Sequence, residues 1–155
     1  MNNQDFTLSF LLDQTPHEVF NAVNNVTAWW TENLTGSSKQ QGDEFSVYFG
    51  DIHYSKQKLT TVEPDIKVVW LITDSRLTFV NTQDEWTGTE CIFEISKEGD
   101  KTRLRFTHSG LVPEFECFNG CSNGWTYYIN SLVSLITTGE GQPATKEDEP
   151  QAETI

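Results

Sequence analysis

Residues Phe6 to Leu12 place Phe6, Leu8, Phe10 and Leu12 on one face, a period of two that predicts a half-buried strand. Thr15-Pro16-His17-Glu18 then offers a cap, a proline suited to a first helical position and an acid three residues after the cap. Val19, Phe20 and Val23 follow at helical spacing, so one or two short helices should run to about Trp30. The stretch Gly36 to Gly42 is polar and reads as a loop. Phe45, Val47 and Phe49 alternate up to a turn at Gly50-Asp51, and His53 to Val62 is a longer, more polar alternating run that stops before Pro64. Ile66 to Ile72 is apolar except for Lys67, the pattern of a central strand. Ser75 to Glu85 lacks a pattern and reads as a loop or an edge strand. Cys91, Phe93 and Ile95 alternate before the turn Glu98-Gly99-Asp100, and Thr102 to His108 should pair back as a hairpin with Leu104, Phe106 and His108 on one face.

From Pro113 the period changes. Phe118, Cys121, Trp125, Tyr128, Leu132 and Leu135 step by three or four, the apolar stripe of a long amphipathic helix. Gly120 and Gly124 each cost about 1 kcal/mol relative to alanine there, so the regular helix should begin near Cys121. Strands segregated from helices by short connections imply an α+β domain with an antiparallel sheet of about six strands. One long helix can cover a face of such a sheet, and a cavity opens between them if the sheet curves.

The chain has 155 residues, one domain's length. We place that domain at residues 1–139, with 140–155 as an acidic, disordered tail beginning at the composition change near Gly139. The formal charge of −13 opposes binding to nucleic-acid phosphate or to anionic membrane surfaces. No apolar run is long enough to span a bilayer, and the N-terminus lacks the features of a signal peptide, so a cytoplasmic location is expected. The three cysteines fit that compartment and make no disulfide framework.

Motifs for phosphate, dinucleotide or nucleophilic-serine chemistry are missing, and no cofactor is expected. No histidine pair stands at metal-ligand spacing near Cys117 and Cys121, so no metal site is expected, and Glu114 and Glu116 oppose thiolate formation at Cys117. Glu90 and Glu94 flank Ile92 on an outward face and read as solvated surface. His108 shares a face with Leu104 and Phe106; it either meets a ligand as an acid, base or hydrogen-bonding group, or ties the strand end to the helix. Trp125, Tyr128 and Leu132 lie on the inner stripe of the last helix, and Phe49, Trp70, Phe93 and Phe106 on inner strand faces. All are core positions that would also wall a cavity. Adjacent Trp29 and Trp30 should not both be buried on one face of a helix or loop, so one should pack inward and the other cover the cavity mouth or meet a partner.

The order and spacing of several segments resemble the START-like (SRPBCC) superfamily, and more narrowly the branch named for homologues of the activator of heat-shock-protein-90 ATPase. The segments are Thr15-Pro16-His17-Glu18-Val19-Phe20, Trp29-Trp30, Gly42-Asp43-Glu44-Phe45, Val62-Glu63-Pro64 with Val68-Val69-Trp70, Trp86-Thr87-Gly88-Thr89, Phe106-Thr107-His108-Ser109-Gly110-Leu111 and Gly124-Trp125. They cover residues 5–139. The resemblance implies a helix-grip fold, a curved antiparallel sheet wrapped around the C-terminal helix with a ligand cavity between. Three functions follow as expectations. The first is a binding module for a hydrophobic or amphipathic small molecule, such as a lipid or aromatic metabolite. The second is a cyclase- or hydrolase-type enzyme using His108 with Tyr128. The third is a protein-interaction module related to a chaperone, favoured by a solvent-exposed Trp of the 29–30 pair beside an acidic surface, and further by a cavity filled by its own side chains.

Overall fold

The computed structural model describes residues 5–49, 52–78, 80–112, 115 and 117–144. In chain order it runs β1 (Phe6–Leu12), α1 (Pro16–Asn24), a 3-10 turn (Val26–Ala28), β2 (Leu34–Gly36), β3 (Glu44–Phe49), β4 (His53–Glu63), β5 (Lys67–Leu77), β6 (Glu90–Glu98), β7 (Lys101–Ser109) and α2 (Phe118–Thr138). The strands form one antiparallel, curved and unclosed sheet of seven, in the order β1-β7-β6-β5-β4-β3-β2. This is the helix-grip architecture, with α1 and α2 packed against the inner face.

Local chemistry sets the starts of the elements. Thr15 caps α1 as its spacing predicts: the Thr15 hydroxyl accepts from the Glu18 amide, and the Glu18 carboxylate accepts from the Thr15 amide at 3.0 Å. From Lys67 on, the apolar Ile66–Ile72 run is the first half of β5, fourth of the seven strands, while Ile66 itself lies exposed in the turn before it. Ser75, expected to open a loop or an edge strand, lies inside β5, because β4 continues to pair with it. Two register shifts in the β4–β5 ladder, between Lys56 and Gln57 and between Leu59 and Thr61, bend this part of the sheet. β5 pairs with β6 over Lys67–Leu71, and Ile72 then exchanges backbone hydrogen bonds with Gly88 and Thr89 at 2.8 and 2.9 Å.

Two expectations are corrected. Trp29 and Trp30 are both buried, at 0% and 2% exposure. The helical constraint does not apply to them, because α1 ends at Asn24 and the pair follows the 3-10 turn, where successive side chains can both turn inward. α2 begins at Phe118, three residues earlier than its glycines suggest. Its first turn is held from outside, since the Cys117 amide donates to the Glu85 carboxylate at 3.2 Å, although no side chain of its own caps it. The three-residue strand β2, which the chain pattern does not predict, lies at the sheet edge just before the expected loop and pairs Leu34–Gly36 with Val47–Phe45.

The turn at Gly50-Asp51, the start of the last element at Pro113, Glu114, Glu116 and the expected tail from 145 onward lie outside the described residues. Over 140–144 the chain returns to the domain. Ala144 forms a parallel bridge with Thr31; the Ala144 amide donates to the Trp30 carbonyl at 2.9 Å, and the Ala144 carbonyl accepts from the Glu32 amide at 2.8 Å. No described helix is long and apolar enough to cross a membrane.

Candidate functional site

All five tryptophans of the sequence are buried in one cluster between the sheet and α2. Trp70, Trp30, Trp125 and Trp86 stack in series, with ring centroids 5.6, 5.0 and 5.7 Å apart and interplanar angles of 17°, 28° and 8°. Trp29 stacks on both Trp30 and Trp70 at 6.2 Å. Each such pair adds roughly 0.5–1.5 kcal/mol beyond its burial, so the indoles fix the spacing of sheet and helix.

At the Trp86 end of the series lies a pocket. Trp30, Phe49, His53 and Trp86 line it from the sheet and its loops; Cys121, Gly124, Trp125 and Tyr128 line it from the first half of α2. Its volume is about 20 Å³, room for a water molecule rather than an organic ligand.

His108 is fully buried beside this pocket. The Trp125 indole N–H donates to His108 Nδ1 at 2.9 Å. Thr89 Oγ1 lies 2.8 Å from His108 Nε2 and donates its own proton to the Trp86 carbonyl at 2.6 Å. An indole only donates, and the threonine proton is committed, so His108 carries its proton on Nε2 and gives it to Thr89. Both ring nitrogens are satisfied and the ring is neutral; burial, with a smaller contribution from His53, pushes its pKa down to about 3. This histidine ties β7 to α2 and to residues 86–89, and it has no free nitrogen for proton transfer to a ligand.

His53 is the second buried histidine, likewise pushed down to about 3 by burial. It begins an inward-facing polar row on β4: His53 Nε2 lies 3.1 Å from Ser55 Oγ, which also accepts from Gln57 Nε2. The two histidines flank Trp86 edge-on, with centroids at 4.7 and 4.8 Å. The Cys121 thiol, raised by its hydrogen bond with Cys117 and by burial, stays protonated. Among the described residues no group of three or more His, Cys, Asp or Glu side chains is placed to hold a metal.

Of the residues singled out from sequence, Phe49, Trp125 and Tyr128 line the pocket. Trp70, Phe93, Phe106, His108 and Leu132 are buried in the core outside its lining. Five further lining residues were not named there as cavity walls: Trp30, His53, Trp86, Cys121 and Gly124. His53 had a readable signal, since His53, Ser55, Gln57 and Leu59 continue one face at period two. Trp86 had none, because it sits in a loop whose path the chain pattern does not specify.

The model of the family described as Activator of Hsp90 ATPase homolog 1-like protein matches residues 13–137, and the chain belongs to that family. No curated protein matches it significantly. Among solved structures, it is similar to the Aha1 dimer of Colwellia psychrerythraea, with a TM-score of 0.72 and 22% identity over 88% of this chain and 98% of that one. It is also similar to CalU16 of Micromonospora echinospora (TM-score 0.61, 17% identity, 87% of this chain and 77% of that one). A third likeness is to DynU16, a protein of the dynemicin biosynthetic locus (TM-score 0.64, 16% identity, 90% of this chain and 49% of that one). At these identities the likenesses establish the START-like fold.

Proposed function

We propose that this protein is a binding module for a small, largely apolar molecule held between the sheet and the first half of α2. The observation that carries this reading is where the pocket lies. Aromatic rings wall it on the sheet side, and on the other side stands the least self-sufficient part of the helix. Gly120 and Gly124 weaken the first turns of α2, and the Glu85 carboxylate from the facing loop is the group that caps them. A ligand-sized site needs roughly 300 Å³ or more, so binding requires this end of α2 to move away from Phe49, His53 and Trp86. Burying apolar ligand surface at about 25 cal/mol per Å² compensates the lost helix–sheet contact.

The test is native mass spectrometry of gently purified protein, then denaturation. The expected result is a reproducible adduct of a few hundred daltons, released on unfolding. A clean apo mass, with no adduct from a panel of lipids and aromatic compounds, would contradict the reading. It would favour the interaction module, for which the filled interior is the specific observation. The engagement of both His108 nitrogens disfavours a cyclase or hydrolase built on that residue.

A further inference from the structure

The pocket carries an electrostatic signature that bears on what it binds. Among the described residues that line it there is no Lys, Arg, Asp or Glu. Its histidine, His53, is buried and neutral, as is the neighbouring His108. Its thiol, Cys121, is protonated. The whole chain carries −13, so the surrounding field also repels anions. A carboxylate moved here from water would find no counter-charge, at a penalty of several kcal/mol.

One strong donor in this lining meets only a weak acceptor. Trp86 Nε1 is buried and finds the Cys121 sulfur in place of a carbonyl or carboxylate oxygen. Trp86 is buried, and the pocket it lines has room for about one water molecule, which a ligand would displace. A carbonyl oxygen is a stronger acceptor than a thiol sulfur, so a ligand acceptor would gain this N–H on binding. Trp125, the other indole at this end, spends its N–H on His108. Trp70 Nε1 is unpartnered, but Trp70 lies outside the lining.

We infer that the pocket selects an uncharged aromatic molecule bearing a hydrogen-bond acceptor, such as a ketone or quinone carbonyl, and that Trp86 Nε1 reads that acceptor. The inference rests on the ligand-binding reading above and narrows it. It sets fatty acids and other anionic amphiphiles aside as ligands. It also makes Trp86 the specificity-determining residue, with its ring as wall and its N–H as probe.

A matched series tests it: naphthalene, 2-acetonaphthone and 2-naphthoate, titrated into the wild-type protein and into Trp86→Phe by calorimetry. The ketone should bind roughly 3–10-fold tighter than naphthalene, the equivalent of one net hydrogen bond. The carboxylate should bind at least tenfold more weakly than the ketone. Trp86→Phe keeps an aromatic wall and should erase the advantage of the ketone over naphthalene. If the variant does not fold, the wild-type indole proton of Trp86 gives the same answer, since the ketone should move it downfield and naphthalene should not. Tighter binding of naphthoate, or a ketone advantage that survives in Trp86→Phe, would overturn the inference while leaving ligand binding intact. Failure of all three compounds to bind would overturn the ligand-binding reading and the inference with it.

Discussion

The indole of Trp125 donates its hydrogen bond to Nδ1 of His108 at 2.9 Å, joining the middle of α2 to the end of β7 with both groups fully buried from water. That one bond fixes the histidine tautomer and orients its other nitrogen onto Thr89, which in turn grips the Trp86 backbone. The chain Trp125–His108–Thr89–Trp86 therefore links the helix, the sheet and the loop that together enclose the pocket.

Trp125→Phe keeps a ring in place but leaves His108 Nδ1 buried without a donor. Urea denaturation should show a loss of about 1–3 kcal/mol. In a double-mutant cycle with His108→Leu, the two changes should cost less together than the sum of their separate effects, because the pair acts as a unit. Strict additivity would mean that the bond contributes nothing in solution.

Stability should fall with acid before the carboxylates titrate. Both buried histidines have folded pKa values of about 3 against 6.5 for the free side chain. The unfolded chain therefore takes up protons that the folded chain refuses. Their contribution is complete above pH 6.5 and is lost as pH falls from 6.5 toward 3. Between about pH 6 and 5 each histidine should remove up to about 1.4 kcal/mol per pH unit. Denaturation free energies measured from pH 8 to 5 check this; a flat profile would show that the two rings ionise in the folded state.

Glu85→Gln should loosen the start of α2. The variant retains an amide oxygen but loses the charge that complements the helix terminus, worth roughly 0.3–1 kcal/mol. Amide hydrogen exchange over 121–125 should accelerate, while exchange at Ile129 and Leu132 stays unchanged. Equal acceleration along the whole helix would mean that α2 opens as one piece.

Gly36→Ala should be among the most damaging single-methyl changes. Gly36 has φ +106°, and a Cβ there would sit 2.3 Å from the Glu44 carbonyl oxygen of the paired strand. Strained backbone and a backbone clash together predict a loss of about 1–3 kcal/mol, read as a lowered melting temperature. Gly42→Ala has a positive φ but open space around the added carbon and should cost less.

Much of the fold is written in short-range pattern. Alternation at Phe45-Val47-Phe49 and Cys91-Phe93-Ile95 gives strands and their inward faces, and the Thr15–Glu18 box gives the start of α1. The stripe from Phe118 to Leu135 gives α2. Features fixed by partners distant in sequence are not legible in this way. β2 is three residues long and exists through its pairing with β3. α2 starts at Phe118, ahead of its two glycines, and a carboxylate 32 residues earlier in the chain holds its N-terminal end. Both indoles of the 29–30 pair are buried because the helix before them has already ended, and no periodicity reports that. The site was legible only in part for the same reason: Phe49, Trp125 and Tyr128 follow from their elements, whereas Trp86 reaches the pocket from a loop.

Intermolecular NOEs between 2-acetonaphthone and the protein test the central claim most directly, because they report where the molecule sits. The pocket predicts NOEs from the naphthalene protons to the rings of Phe49, Trp86, Trp125 and Tyr128, with none to the exposed Tyr48 and Tyr54 pair on the outer face of the sheet. NOEs confined to surface rings, or their complete absence at saturating ketone, would contradict a ligand site between the sheet and α2.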